Sequence, residues 1–345
     1  MTNQVWSVVR SSLTITLRQV ILDDMELTFY GIREPMPGPR WQALYDATWP
    51  GYRTWYLSEG IERRPSRAVA AQMLRLYMPE LVPTWERLVD LSGGDDNAAR
   101  MLALYDPPRF LPGCSQAALT ADRPMLVRNY DYRPDLCERV VYSSAFTGRR
   151  VIGTSDCLWG LVDGMNDAGL VVSLAFGGRP SAGPGFGIPL VVRYLLEVAE
   201  TLADVQTVLK RVPVHMAYNL TVLDSTGEAA TVFVAPQTAP RTFRLPAATN
   251  HRGLTPEWPE HAQRFRSMTR QRHLLNLLDS ARKPDELIAA FLQPPLYNTD
   301  YAGGFGTIYT AVYRPDRGGV DYHWPGSRWR RTFDTPDGTH QVAIG

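Results

Sequence analysis

The sequence predicts a layered α+β fold with a largely antiparallel sheet. Two observations carry this. Strand-type runs come in blocks, as do helix-type runs, and Gly or Asp separates one apolar run from the next. The length of 345 residues suits one large domain or two smaller ones. Hydrophobic residues at 44% and charged residues at 21% describe a packed chain, not a disordered one.

The elements follow in order. Residues 14–17 and 26–30 are rich in Thr, Ile, Leu and Phe and read as strands, split at Asp23-Asp24. Pro35, Pro37 and Pro39 mark a loop. Between 41 and 105 the pattern is helical. Ser66 caps one helix, a second runs over 80–91 and stops at Gly93-Gly94, and Asp96-Asn97 opens a short third. Pro107-Pro108 closes that region. Residues 125–128, 140–142, 158–162 and 170–174 then read as consecutive antiparallel strands. Leu190, Leu195, Val198, Leu202, Val205 and Leu209 recur at helical spacing, enough for two helices over 189–210. Strands resume at 219–223 and 231–234, 265–278 is helical, and 307–313 is a late strand.

Composition excludes several function classes. Cys114, Cys137 and Cys157 are the only cysteines, and no Cys-x-x-Cys pair exists. A disulfide-stapled scaffold, a structural zinc site and a thioredoxin-type motif are therefore not expected. The 36 basic residues balance 35 acidic ones, so nothing draws the chain toward nucleic acid or an anionic membrane. Only Lys210 and Lys283 are lysines. The run Arg328-Trp329-Arg330-Arg331 reads as a solvated surface strand. No apolar run approaches the roughly 20 residues of a membrane span. Residues 1–24 lack the form of a signal peptide, and the expected location is the cytoplasm.

The segment with chemistry in it is Gly113-Cys114-Ser115, followed by Arg128-Asn129-Tyr130-Asp131. If 114–121 and 125–131 pair as a hairpin, Arg128 and Asp131 return beside Cys114. A guanidinium there favours the thiolate and lowers the cysteine pKa, and a carboxylate can orient an amine. The spacing alone also allows a buried structural cysteine.

These residues resemble the penicillin acyltransferase family of autoproteolytic cysteine hydrolases. They are also similar to the choloylglycine hydrolase and acid ceramidase group of N-terminal nucleophile hydrolases. Further motifs agree, in order, across about residues 78–313. Asp163-Gly164-Met165-Asn166-Asp167-Ala168-Gly169-Leu170 resembles that group's Gly-Met-Asn turn. Tyr218-Asn219-Leu220-Thr221 through Asp224 and Gly227 resembles its Asn-x-Thr strand-turn. Thr249-Asn250-His251 resembles a Thr-Asn-His motif, and Gln263-Arg264-Phe265-Arg266 a Ser-Arg-Phe helix start.

The resemblance implies a four-layer αββα N-terminal nucleophile hydrolase sandwich and a precursor cut between Gly113 and Cys114. Residues 1–113 become a leader chain that stays bound, and 114–345 the catalytic chain. Cys114 is then the nucleophile, and its own α-amino group the base. An α-amine with a pKa of about 7.7–8.0 suits that task. The resemblance assigns Asp131 to orienting the amine and Arg128 to the thiol. Asn250 donates to the oxyanion, and Arg264 is a second active-site arginine. Phe176, Trp159 and Asn219 are the candidate substrate-pocket residues. Relatives carry Asn or Tyr near the position of Phe176, where a backbone N–H supplies the second oxyanion donor. Ser115 departs from the Thr that members often carry, yet keeps a small hydroxyl. The implied substrate is a small-molecule amide or an acyl-CoA-like thioester, with no cofactor and no metal. Two other readings are a Cys-His thiol hydrolase using His215 or His251 without self-cleavage, and a catalytically silent binding protein on the same fold.

Overall fold

The computed structural model describes residues 25–120, 123–253, 255–279 and 283–345. The expected strand over 14–17 and the reading of residues 1–24 lie outside the described residues.

Strand β1 (Met25–Arg33) leads into helices α1 (Pro39–Tyr56), α2 (Arg67–Tyr77), α3 (Val82–Leu91) and α4 (Asp96–Leu102). The hairpin β2 (Gly113–Leu119) and β3 (Met125–Tyr132) comes next. It is followed by β4 (Val140–Ser144), β5 (Val151–Asp156), β6 (Gly160–Asn166) and β7 (Val171–Phe176). Helices α5 (Ile188–Val198) and α6 (Leu202–Arg211) precede β8 (Tyr218–Leu223), β9 (Ala229–Ala235), β10 (Thr238–Phe243) and β11 (Ala247–Ala248). Then come α7 (Pro259–Arg264), α8 (Ser267–Asp279) and α9 (Pro284–Phe291). The chain ends with β12 (Thr299–Asp300), β13 (Phe305–Arg314), β14 (Gly319–Trp324), β15 (Ser327–Thr332) and β16 (Gly338–Ile344).

Two sheets result. One runs β10-β9-β8-β7-β6-β5-β4-β1-β16, the other β11-β2-β3-β13-β14-β15, with β12 paired to β13. Strand β2 packs across the gap onto β7 and β8. Helices α5 and α6 cover the outer face of the first sheet, and α8 and α9 that of the second. The arrangement is the four-layer αββα sandwich. Strand β1 is clamped inside the first sheet, parallel to β4 and antiparallel to β16.

Local signals behave as their chemistry requires. The Ser66 hydroxyl accepts from the Val69 N–H at 3.3 Å and starts α2. For α4 the cap is one residue earlier than expected, because Asp95 accepts from Ala98 N–H at 2.7 Å. The expected helix over 80–91 begins instead with a single 3-10 turn at Pro79–Leu81, and α3 starts at Val82 with Pro83 in its first turn. A capping box between Thr201 and Asp204 separates α5 from α6. The helix expected over 265–278 breaks at Arg266, whose φ of 46° is left-handed, so α7 ends before it and α8 begins after it. The strand expected from 158 begins at Gly160, because Cys157 and Leu158 have positive φ and form the β5–β6 turn. The arginine run lies on β15, with Arg328 and Arg330 exposed and Arg331 buried.

Candidate active site

The site starts from the β2–β3 hairpin. Its register pairs Gly113 with Asp131, Cys114 with Tyr130, and Gln116 with Arg128. Paired residues share a face, and faces alternate along a strand. Cys114 and Arg128 therefore point into the gap between the sheets, while Asp131 points out toward α8. The arginine Nη2 donates to the Cys114 Sγ at 3.1 Å. Its Nη1 is bonded to Asp163, which also accepts from Tyr309 at 2.6 Å, Tyr313 at 2.5 Å and Thr154 at 2.8 Å. Asp163 is thus the buried counter-ion that holds Arg128 against the thiol.

On the other face Asp131 Oδ1 accepts from Thr307 Oγ1 at 2.7 Å. Its Oδ2 has no hydrogen-bond donor among the described residues and lies 3.5 Å from the Arg270 Nη1. Arg270 ties the cluster together. It donates to the Cys114 carbonyl at 2.5 Å, to Ser115 Oγ at 2.8 Å and to Asn250 Oδ1 at 2.7 Å. Asn250 Oδ1 also accepts from the Cys114 N–H at 3.1 Å. The Asn250 amide donates to the Pro112 carbonyl at 3.1 Å and the Phe176 carbonyl at 3.4 Å. The loop that carries Asn250 is pinned by Asn219, whose amide donates to the carbonyls of Thr249 at 2.9 Å and His251 at 3.0 Å. Gly178 lets that loop approach: at its φ of +74° a Cβ would lie 2.7 Å from the Asn250 carbonyl.

Cys114 and its neighbours are fully buried. Burial pushes the thiol pKa up, and this outweighs the pull of Arg128 in the opposite direction. The lowering expected from the guanidinium alone is therefore reversed. Asp131 is likewise raised by burial, against Arg270 and the Thr307 hydrogen bond. The arrangement places a thiol, a cationic clamp, an amide donor and a carboxylate around one peptide bond, Gly113–Cys114. That set can attack a carbonyl, hold the resulting oxyanion and bind an amine.

A family model described as acyl-coenzyme A:6-aminopenicillanic acid acyl-transferase matches residues 119–329. The chain belongs to this acyl-transferase family. The resemblance read from the motifs is borne out, and so is the α+β sandwich. Solved structures with a similar fold include penicillin V acylase from Agrobacterium tumefaciens. It is 14% identical, with 66% of this chain and 90% of that chain covered and a TM-score of 0.45. An N-acylethanolamine-hydrolyzing acid amidase ortholog from Caenorhabditis elegans is 14% identical, covers 59% and 92%, and has a TM-score of 0.45. A mutant conjugated bile acid hydrolase from Clostridium perfringens is 11% identical, covers 66% and 96%, and has a TM-score of 0.42. No curated protein matches.

Within this acyl-transferase family member the sequence-derived residues divide. Cys114, Arg128, Asp131 and Asn250 come together, although Cys114 lies just before the matched segment. Arg264 does not join them. It is exposed, donates to the Gly303 carbonyl at 3.1 Å and stacks on Phe265. The left-handed turn at Arg266 ends its helix, and Arg270, the first inward arginine of α8, takes the place expected for it. Sequence reasoning missed Arg270, yet a signal exists. Ser267, Arg270, Leu274 and Leu277 form the buried stripe of α8, and an arginine on such a stripe is anomalous. Asp163 sat inside a quoted motif without a role.

The pocket candidates divide too. Phe176 contributes its carbonyl to Asn250 and its ring to an aromatic group. Asn219 holds the Asn250 loop and has no direct bond to Cys114 among the described residues. Trp159 is buried, its indole donating at 2.9 Å to the carbonyl of Leu102, the last residue of α4. Neither histidine makes a dyad. His215 bonds the Gly183 carbonyl and Asp106. His251 bonds Thr249, and burial with the nearby Arg270 charge lowers its pKa to about 4. Cys137 and Cys157 are free and buried; burial pushes Cys137 up to about 12 and Cys157 well above its ordinary value. No helix among the described residues is long and apolar enough to cross a membrane.

Proposed function

We propose that this chain is a self-processing cysteine N-terminal nucleophile hydrolase or acyltransferase acting on a non-peptide amide or acyl thioester. The observation that carries the reading is the pairing at Cys114. Its Sγ rests 3.1 Å from Arg128, while its backbone N–H is held at 3.1 Å by Asn250. Sulfur and nitrogen of one residue are thus both fixed beside the bond to be cut.

Self-cleavage begins when the Cys114 Sγ attacks the Gly113 carbonyl. The C–N bond breaks, the acyl group moves to sulfur, and the nitrogen leaves as the α-amine. Water then hydrolyses the thioester and releases Gly113 as a carboxylate. The free amine takes the proton of the thiol in each later turnover, as an N-terminal base does. Asp131 Oδ2, the carboxylate oxygen without a hydrogen-bond donor, orients it. In turnover the substrate carbonyl replaces that of Gly113. The Asn250 amide, which meets the Pro112 carbonyl in the intact chain, donates to the oxyanion. The acyl group forms a thioester with Cys114, and the departing amine takes the proton from the α-ammonium. Water completes hydrolysis, and an acceptor amine completes transfer. The reading needs no metal or cofactor.

The leader, residues 1–113, stays in place in this proposal. The support is β1, which is hydrogen-bonded on both edges by strands of the catalytic chain. Intact mass spectrometry of the purified protein tests the reading. Two fragments meeting at Gly113/Cys114 are expected for wild type and one uncut chain for Cys114→Ala. An active, uncut wild-type chain overturns it.

A further inference from the structure

Helix α1 lies before the proposed cut, yet a chain of contacts joins it to the nucleophile. Arg128 is held in its own plane by Asp163 and by the Cys114 Sγ, while its Nε has no hydrogen-bond partner among the described residues. Against its face lies Tyr130: the guanidinium carbon is 4.7 Å from the centre of that ring. Tyr130 is the cross-strand partner of Cys114 and stands two residues beyond Arg128, so all three share one face of the hairpin. The ring is anchored in turn. Its hydroxyl donates to Asp156 Oδ2 at 3.1 Å. Asp156 Oδ1 is bonded by the Cys157 N–H at 2.8 Å and by the Tyr52 hydroxyl of α1 at 3.2 Å, and the same hydroxyl bonds Glu138. Tyr52, Asp156, Tyr130 and Arg128 are each 5% exposed or less, so water screens none of these contacts.

We propose that Tyr130 is a positioning residue whose ring face holds the Arg128 guanidinium against the thiol, and that Tyr52 extends this hold to α1 through Asp156. An aromatic face attracts a guanidinium, more strongly where both are desolvated. Hydrogen bonds at Nη1 and Nη2 fix the edge of the flat fork, and a ring fixes its tilt. The anchored phenol keeps that ring from swinging aside. The closer the guanidinium stays to sulfur, the more it favours the thiolate. The proposal rests on the acyl-Cys114 reading above.

The test is the pH midpoint for alkylation of Cys114 by iodoacetamide in the processed enzyme, read by mass at that residue. Besides Arg128, the groups acting on the thiol are Asp131, Arg270, Tyr218 and, after the cut, its own α-amine; every variant keeps them. Tyr130→Leu removes the ring and raises the midpoint by about one unit, which is about tenfold slower alkylation below it. Tyr130→Phe keeps the ring without its anchor and raises the midpoint by about half a unit. Tyr52→Phe raises it by about 0.3 unit. The double variant of Tyr52→Phe and Tyr130→Phe matches Tyr130→Phe alone, because both changes break one chain. An unmoved midpoint in either Tyr130 variant overturns the hold of the ring, and Tyr130→Phe decides even if Tyr130→Leu does not fold. No shift in Tyr52→Phe, or additive shifts in the double variant, overturn the extension to α1. All of these leave the acyl-Cys114 reading intact. A wild-type Cys114 that gains no mass at any pH overturns that reading and this proposal with it.

Discussion

Arg270 makes three donated hydrogen bonds within one cluster: to the Cys114 carbonyl, the Ser115 hydroxyl and Asn250. Its planar fork supplies them from fixed directions, and a lysine ammonium cannot. Arg270→Lys should slow self-cleavage by about tenfold or more, since charged hydrogen bonds contribute about 1.5–3 kcal/mol each. The half-time of the precursor on a denaturing gel measures this. Asn250→Ala removes the amide donor and should lower kcat about 10²–10³-fold in any chain already processed. Steady-state kinetics normalised to the amount of free N-terminal cysteine checks that figure. At this scale the sequence was legible where a motif names the residue: Cys114, Arg128, Asp131 and Asn250. It was misread at Arg264, because a single left-handed residue, Arg266, resets the helical phase and no periodicity announces it.

Helix α1 shows what an element adds. Its Tyr52 hydroxyl bonds both the half-buried Glu138 and the buried Asp156, two carboxylates beyond the β2–β3 hairpin, and accepts from the Cys157 N–H at 2.9 Å. Burial raises Glu138 to about 7, helped by the Asp156 charge, and raises Asp156 to about 6. Folded pKa values above the unfolded ones mean that the native state holds protons more tightly. The stabilisation is complete below the ordinary carboxylate range of about 4 and is lost as pH rises through 6 to 7. Glu138→Gln is neutral at every pH. The melting temperature of wild type minus that of Glu138→Gln should therefore fall between about pH 5 and pH 8. A flat difference in scanning calorimetry would argue against a protonated pair. Nothing in the sequence pairs residues 52, 138 and 156; they meet only because α1 packs across the turn after β5.

For the whole molecule, the proposed cut at Gly113 does not coincide with a structural boundary. Strand β1 runs inside the nine-stranded sheet of the described residues, and Trp41 of the leader donates to the Leu158 carbonyl at 3.0 Å. The two chains should co-elute on gel filtration in native buffer and separate only in denaturant; loss of the leader in native buffer would count against one shared fold. The sequence by itself determined the layered α+β class, the order of helices and strands, and the hairpin that returns Arg128 and Asp131 to Cys114. These follow from periodicity, turn residues and alternation, which are local. Only the tertiary structure decided which arginine reaches the site, that burial outweighs Arg128 in setting the thiol, and that a chain of contacts from Tyr52 ends on Arg128. Each of those depends on residues far apart in the chain and on how much water their packing excludes.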